Sequence, residues 1–115
     1  MKFSALVVIV AKEYEEEARK AAEDAGAGGV TIVSGRGSGI EHKKSFLGLQ
    51  IEGQQTLLLY VLERRLAVRA LKAVVNCSEL MKSGHGLAFT VPIEHIGGIN
   101  LKEIAQFEER IREDI

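Results

Sequence analysis

The sequence predicts an α+β domain: a four-stranded antiparallel sheet with two helices on one face, followed by a C-terminal helix. Three observations point to it. Apolar runs of strand length and amphipathic stretches of helical period follow one another in the order β-α-β-β-α-β. Glycines gather at the junctions between them. The chain has 115 residues, 46% of them hydrophobic, enough for one two-layer core. A domain of this size buries about two-thirds of the surface its unfolded chain exposes. Residues 1–115 are therefore read as a single domain.

Phe3 to Val10 is a continuous apolar strand, central in the sheet. From Glu13 to Ala25 the period becomes helical, with Tyr14, Ala18, Ala21, Ala22 and Ala25 on one face. Glu15–Arg19 and Glu16–Lys20 stand four residues apart on the outer face. Gly26, Gly28 and Gly29 stop the helix and turn the chain. Gly29 to Ser34 is a short β-branched strand. The stretch 35–53 is irregular and glycine-rich, with Phe46–Ile51 alternating weakly as a short hairpin arm. Gln55 to Leu62 is the third strand.

The second helix spans Leu66 to Met81, with Leu66, Ala67, Ala70, Leu71, Val74, Val75 and Leu80 on its buried side. Cys77 falls within it. Arg64 and Arg65 stand at its start, where the helix dipole disfavours cations. Leu87 to Ile93 is the fourth strand, with Pro92 near its end where no ladder donor is needed. Asn100-Leu101-Lys102-Glu103 forms a capping box that opens a last helix to Asp114. Leu101, Ile104, Phe107 and Ile111 line one face of it. This order is the split βαβ, ferredoxin-like plan.

Two helices cover only one face of such a sheet. Both alternations of Ala5-Leu6-Val7-Val8-Ile9 and of Leu57-Leu58-Leu59-Tyr60 are apolar, so the second face is sticky as well. Such a patch marks an interface. The expected state is a homo-oligomer with clefts between subunits.

Charge and composition exclude several functions. Fifteen Lys and Arg against sixteen Asp and Glu leave a net charge of −1, with no basic field for nucleic acid. The Phe3–Ala11 run is too short to span a membrane and meets charged residues at once, which argues against a signal peptide and direct membrane insertion. One cysteine fits a reducing cytoplasm. No serine has an evident base and orienter, so no catalytic residue is assigned. His42, His85, His95 and Cys77 match no compact ligand spacing, so no metal site is assigned either.

Two Gly-x-Gly turns remain. Gly37-Ser38-Gly39 closes the second strand, and Gly84-His85-Gly86 feeds the fourth. Bare main-chain amides in such turns form concavities that hold anions. Beside them lie Arg36, Lys82 and Ser83. The segment His42-Lys43-Lys44, with Phe46 next to it, is a loop tip fit to engage a partner.

These residues resemble the PII family of signalling proteins, in its shorter, PII-like branch, over residues 3 to 98. The run Gly29–Gly39 is similar to the family's strand ending in Gly-Phe-Gly. Ser83-Gly84-His85-Gly86-Leu87-Ala88-Phe89 is similar to its Gly-Asp-Gly-Lys-Ile-Phe loop. The resemblance implies a homotrimer that binds adenine nucleotides in three intersubunit clefts. It also implies regulation of a membrane transporter or enzyme through a mobile loop after the second strand, here 36–53. It places Thr31 and Ile9 beside the adenine, Gly37, Ser38 and Gly39 along the base and ribose, and Gly84, His85 and Gly86 at the phosphates.

The sequence also departs from that pattern. Leu87 stands where the family has a phosphate-binding lysine, and Ile40-Glu41 replaces an Arg-Gln pair. The region around Gly98 lacks the family's arginines. The shorter loop has no tyrosine to modify. These losses favour AMP or ADP over ATP, with Arg36, Lys43, Lys44 and Lys82 as the remaining cations. Two other readings of the same fold stand beside this one: a CutA-like trimeric metal-handling or structural protein, and an ACT-like amino-acid-binding module.

Overall fold

The computed structural model describes residues 1–38, 53–77 and 86–98. Four strands form one antiparallel sheet: β1 (Phe3–Ala11), β2 (Thr31–Gly37), β3 (Gly53–Glu63) and β4 (Gly86–Ile93), in the order β2-β3-β1-β4. Helices α1 (Glu15–Asp24) and α2 (Arg64–Val75) complete the predicted α+β plan. The expected hairpin arm at 46–51 and the C-terminal helix lie outside the described residues.

β1 alternates strictly between half-buried and buried residues. Its buried set of Leu6, Val8 and Val10 joins Leu58, Tyr60 and Leu62 of β3 beneath Ala18 and Ala22 of α1 and Leu66, Ala67, Ala70 and Val74 of α2. Most of the residues the two helices bury are alanines: Ala18 and Ala22 of α1, Ala67 and Ala70 of α2. A Cβ on Gly26 would meet Leu66 Cδ1 at 3.2 Å. Gly26 has φ +109, so it also supplies the left-handed turn that ends α1. Its amide donates to Glu23 O at 2.9 Å and that of Ala27 to Ala22 O at 3.0 Å, the paired bonds of a Schellman ending.

Several predicted boundaries move. The first helix begins with a 3-10 turn, Lys12–Tyr14, before α1 proper. Within α1, Arg19 reaches Glu15 at 3.7 Å, as predicted, while Lys20 reaches Asp24 at 3.5 Å. β2 starts two residues later than predicted and runs on to Gly37, carried by pairing with the lower half of β3. α2 ends at Val75, with Asn76 as its cap, so Cys77 lies beyond the helix in a bend. Residues 78–81, predicted helical, lie outside the described residues.

The two arginines at the start of α2 find their explanation one residue earlier. Glu63 is the N-cap, and its carboxylate accepts from the Arg65 and Leu66 amides. That buried acid supplies the negative charge the helix start prefers. At the other junction, Thr56 Oγ1 donates to Glu15 Oε1 at 3.0 Å, tying the first turn of α1 to β3.

Candidate functional site

Strand register decides which predicted site residues can meet. Ile9 of β1 pairs with Leu57 of β3 and Leu87 of β4, and Leu57 pairs with Val33 of β2. Directly opposed residues share a face, so Val33, Leu57, Ile9 and Leu87 form one row across the sheet. Thr31, Leu59, Val7 and Phe89 form the next, and Val61, Ala5 and Val91 a third. These rows point away from the helix-covered core. Val33, Val61, Leu87, Phe89 and Val91 are all exposed. The sticky second face expected from the sequence is present.

Ile9 and Thr31 therefore share this open face. They stand two strands apart, about 10 Å sideways at the usual strand spacing. Further up the same face, β2 and β3 outrun β1, through the pairs Arg36–Gln54 and Gly37–Gly53. Beyond Gln55, the glycines Gly35, Gly37 and Gly53 leave this short arm without side chains on the open side. Added Cβ atoms at Gly35 and Gly53 would meet nothing within 4 Å. The result is bare main chain, a floor on which a flat ligand can lie close. Arg36 has the opposite parity and is exposed, and Ser38 follows in the open. The sequence reading placed Gly35 and Gly53 in an irregular glycine-rich stretch and did not assign them to the site. Their period-two spacing with Gly37 and their opposition across the hairpin were the available signals.

Gly86 is the first residue of β4, paired with Val10 and buried, so it belongs to the sheet and not to a free loop. Gly39, Lys82, Ser83, Gly84, His85, His42, Lys43, Lys44 and Phe46 lie outside the described residues. What the fold does fix is where their segments start and finish. β2 leads out at Gly37 and β4 leads in at Gly86, both at the Ala11 end of β1. Yet β2 and β4 are the two outer strands. Three strand spacings separate them, about 14 Å.

The chemistry available is that of main-chain amides, a hydroxyl and a guanidinium. Among the described residues no group of three His, Cys, Asp or Glu side chains is placed to hold a metal. Among the described residues the two shifted ionisable groups lie elsewhere. Burial pushes the Tyr60 phenol up, with Arg19 opposing and Glu23 adding to the effect. Burial also raises the Cys77 thiol, helped by Glu17, which works against a reactive thiolate. No described helix is long and apolar enough to cross a membrane.

The profile of the family "Nitrogen regulatory protein P-II" matches residues 3–103. No curated protein sequence gives a significant match. Among solved structures, the chain is similar to a PII-like signaling protein (TTHA0516) from Thermus thermophilus, with TM-score 0.60 and 19% identity over 81% of this chain and 88% of that one. It is also similar to the apo form of CPII from Thiomonas intermedia K12, a nitrogen regulatory PII-like protein, with TM-score 0.63 and 17% identity over 81% and 90% of the two chains. CPII bound to ADP, AMP and bicarbonate gives TM-score 0.60 and 20% identity over 86% and 98%. At such identities the structures speak for the fold, while the profile spans nearly the whole chain. The chain belongs to the nitrogen regulatory protein P-II family and is a signalling protein, not an enzyme.

Proposed function

We propose that this protein is a cytoplasmic, homotrimeric sensor that binds an adenine nucleotide in the clefts between its subunits. One observation carries the reading: the two glycine-bearing segments leave the sheet at the same end but from opposite edges. Within one subunit the strand ends that lead to the two turns stand about 14 Å apart, the full length of an extended nucleotide, so they do not enclose a ligand between them. A ring of copies, each setting its β2 edge beside the β4 edge of the next, brings them together. Such head-to-tail contacts close into a cyclic oligomer. The uncharged open face, with Val61, Phe89 and Val91 exposed, supplies the apolar surface to bury in that ring.

In this reading the adenine lies near Ile9 and Thr31, the ribose near Gly37, Ser38 and Gly39, and the phosphates near Gly84, His85 and Gly86. Arg36, Lys82 and Ser83 add polar contacts. Leu87 contributes an apolar side chain beside Ile9 where a lysine would have met a third phosphate, so AMP and ADP are favoured over ATP. The ADP, AMP and bicarbonate of CPII support this class of effector and add bicarbonate to those worth testing. Nucleotide binding favours one arrangement of the loop 36–53, and the differential affinity of that arrangement for a partner carries the signal. His42, Lys43, Lys44 and Phe46 are its contact residues. The partner is a membrane transporter or an enzyme.

Calorimetric titration with AMP, ADP, ATP, cyclic AMP and bicarbonate tests this. Heat from AMP or ADP, lowered at least tenfold in affinity by Arg36→Glu, supports the reading. A confirmed trimer that gives no heat with any nucleotide rejects it, and tight copper or zinc binding in its place would favour a CutA-like role.

A further inference from the structure

We propose that the cavity where β1 and β4 meet the start of α2 binds a monocarboxylate with an apolar body, at a site separate from the glycine-bearing turns. The cavity has a volume of about 550 Å³, within the range of small-molecule sites. Lys2 and Arg64 line it together with Phe3, Pro92, Ile93 and Ile96. Within one subunit it lies at the Phe3 end of β1, whereas Gly37 and Gly86 stand toward the Ala11 end. The nine residues of β1 span about 27 Å between the two ends.

Two cations mark where the carboxylate goes. The Arg64 amide donates to Lys2 O at 2.9 Å, so the two residues are held side by side where β1 begins and α2 starts. Both are exposed, and among the described residues neither side chain has an ion-pair partner. Arg64 is the more telling of the two. It is the first residue of α2, where the helix dipole repels a positive side chain. Its neighbour Arg65 is met by Glu63, through Nε at 2.9 Å, but Arg64 stands outside that pair. A carboxylate between Lys2 and Arg64 supplies the missing negative charge, and the guanidinium fork of Arg64 matches its two oxygens. The first amides of α2 are already engaged, that of Arg64 by Lys2 O and those of Arg65 and Leu66 by Glu63. The grip therefore falls to side chains.

The remaining walls set the other half of the ligand. Phe3 and Ile93 are opposed across β1 and β4, and both are half-buried. Pro92 is exposed beside them, and Ile96 is 44% exposed. These four side chains offer apolar surface that an inorganic anion would leave in water and an apolar body would cover. Among the described residues Glu94 is the one acid in the lining, and its carboxylate stands 3.5 Å from His95 Nε2. Against Lys2 and Arg64 it leaves the lining side chains with one net positive charge, which suits a monoanion better than a nucleotide's phosphates.

Calorimetry on the full chain with 3-phenylpropionate, 4-methylpentanoate, acetate and inorganic phosphate tests the site. At least one of the first two is expected to bind about tenfold or more tighter than acetate or phosphate. Arg64→Gln should weaken that binding about tenfold, the loss of one charge-assisted contact. Arg69→Gln removes the same charge from an exposed position further along α2 and should change it less than about twofold. Ile96→Asp, also at an exposed position, should weaken it about tenfold by placing an acid in the wall. In the unaltered protein the bound ligand should shift the amide resonances of Phe3, Ile93 and Ile96, not those of Thr31 and Gly37. Acetate or phosphate binding as tightly as the larger carboxylates, or no binding by any of the four, would overturn the proposal. So would shifts centred on Thr31 and Gly37, or an unchanged affinity in folded Arg64→Gln.

Discussion

Glu63 and Arg65 hold one another at the β3–α2 junction. One carboxylate oxygen accepts from the Arg65 Nε–H at 2.9 Å; the other accepts from the Arg65 amide at 2.9 Å and the Leu66 amide at 3.0 Å. The two halves of this clasp differ in weight. The Glu63 side chain is 7% exposed and that of Arg65 is 60% exposed. The ion pair is therefore screened, and the capping bonds dominate. Glu63→Ala is expected to lower stability by about 1–2 kcal/mol, as cap removals do. Arg65→Ala should cost less than about 1 kcal/mol. Urea denaturation of both variants checks the ranking, and equal losses would contradict it.

At the end of α1, Gly26 combines a left-handed backbone with a close neighbour in Leu66. Gly26→Ala should cost about 1–3 kcal/mol, the range for a side chain forced into that region. Gly28 has open space around it. Gly28→Ala should change stability by no more than about 0.5 kcal/mol. Thermal melts of the pair separate the two cases.

Tyr60 is buried in the core, and among the described residues its hydroxyl has no hydrogen-bond partner. Burial raises its pKa above the ordinary 10.0, so the folded state holds the phenol proton more tightly than the unfolded one. Its contribution to stability is complete below the unfolded value and declines as pH rises through the folded value. Tyr60→Phe should flatten that alkaline decline. At neutral pH it should be neutral or stabilising by about 1 kcal/mol, since it removes an unsatisfied buried group. Denaturation midpoints measured from pH 7 to 11 decide this.

Leu87 lies beside Ile9 on the open face, next in sequence to Gly86. If the phosphates lie there, Leu87→Lys restores one charge-assisted contact and should raise affinity for ATP relative to AMP by about tenfold. An unchanged ratio in calorimetry would count against the site.

Phe89 and Val91 are 39% and 43% exposed on the same face. If that face is closed by assembly, placing Asp at both should reduce the particle from three chains to one in sedimentation equilibrium. A trimer that survives both charges would move the interface elsewhere.

The fold was legible because its period was. The unbroken apolar run of β1 and the helical spacing of α1 each allow one reading, and the structure follows them. Boundaries were less legible where partners outside the segment decide them. β2 runs on through Gly35 and Gly37 because Gln55 and Gly53 pair with them, a ladder that outweighs the poor strand propensity of glycine. α2 starts at Arg64 because Glu63, the last residue of a strand, caps it.

For the site, sequence marked Gly37 and Gly86 by type but could not say which edges they occupy. That depends on strand order, a long-range property that local spacing does not encode. The sequence alone determined the two-layer plan, the apolar second face and the family likeness, because periodicity and side-chain type are written residue by residue. The tertiary structure decided that the two glycine-bearing segments leave from opposite edges of one sheet. Their separation follows from hydrogen-bonded neighbours far apart in the chain, and the proposal of a ligand held between copies rests on it.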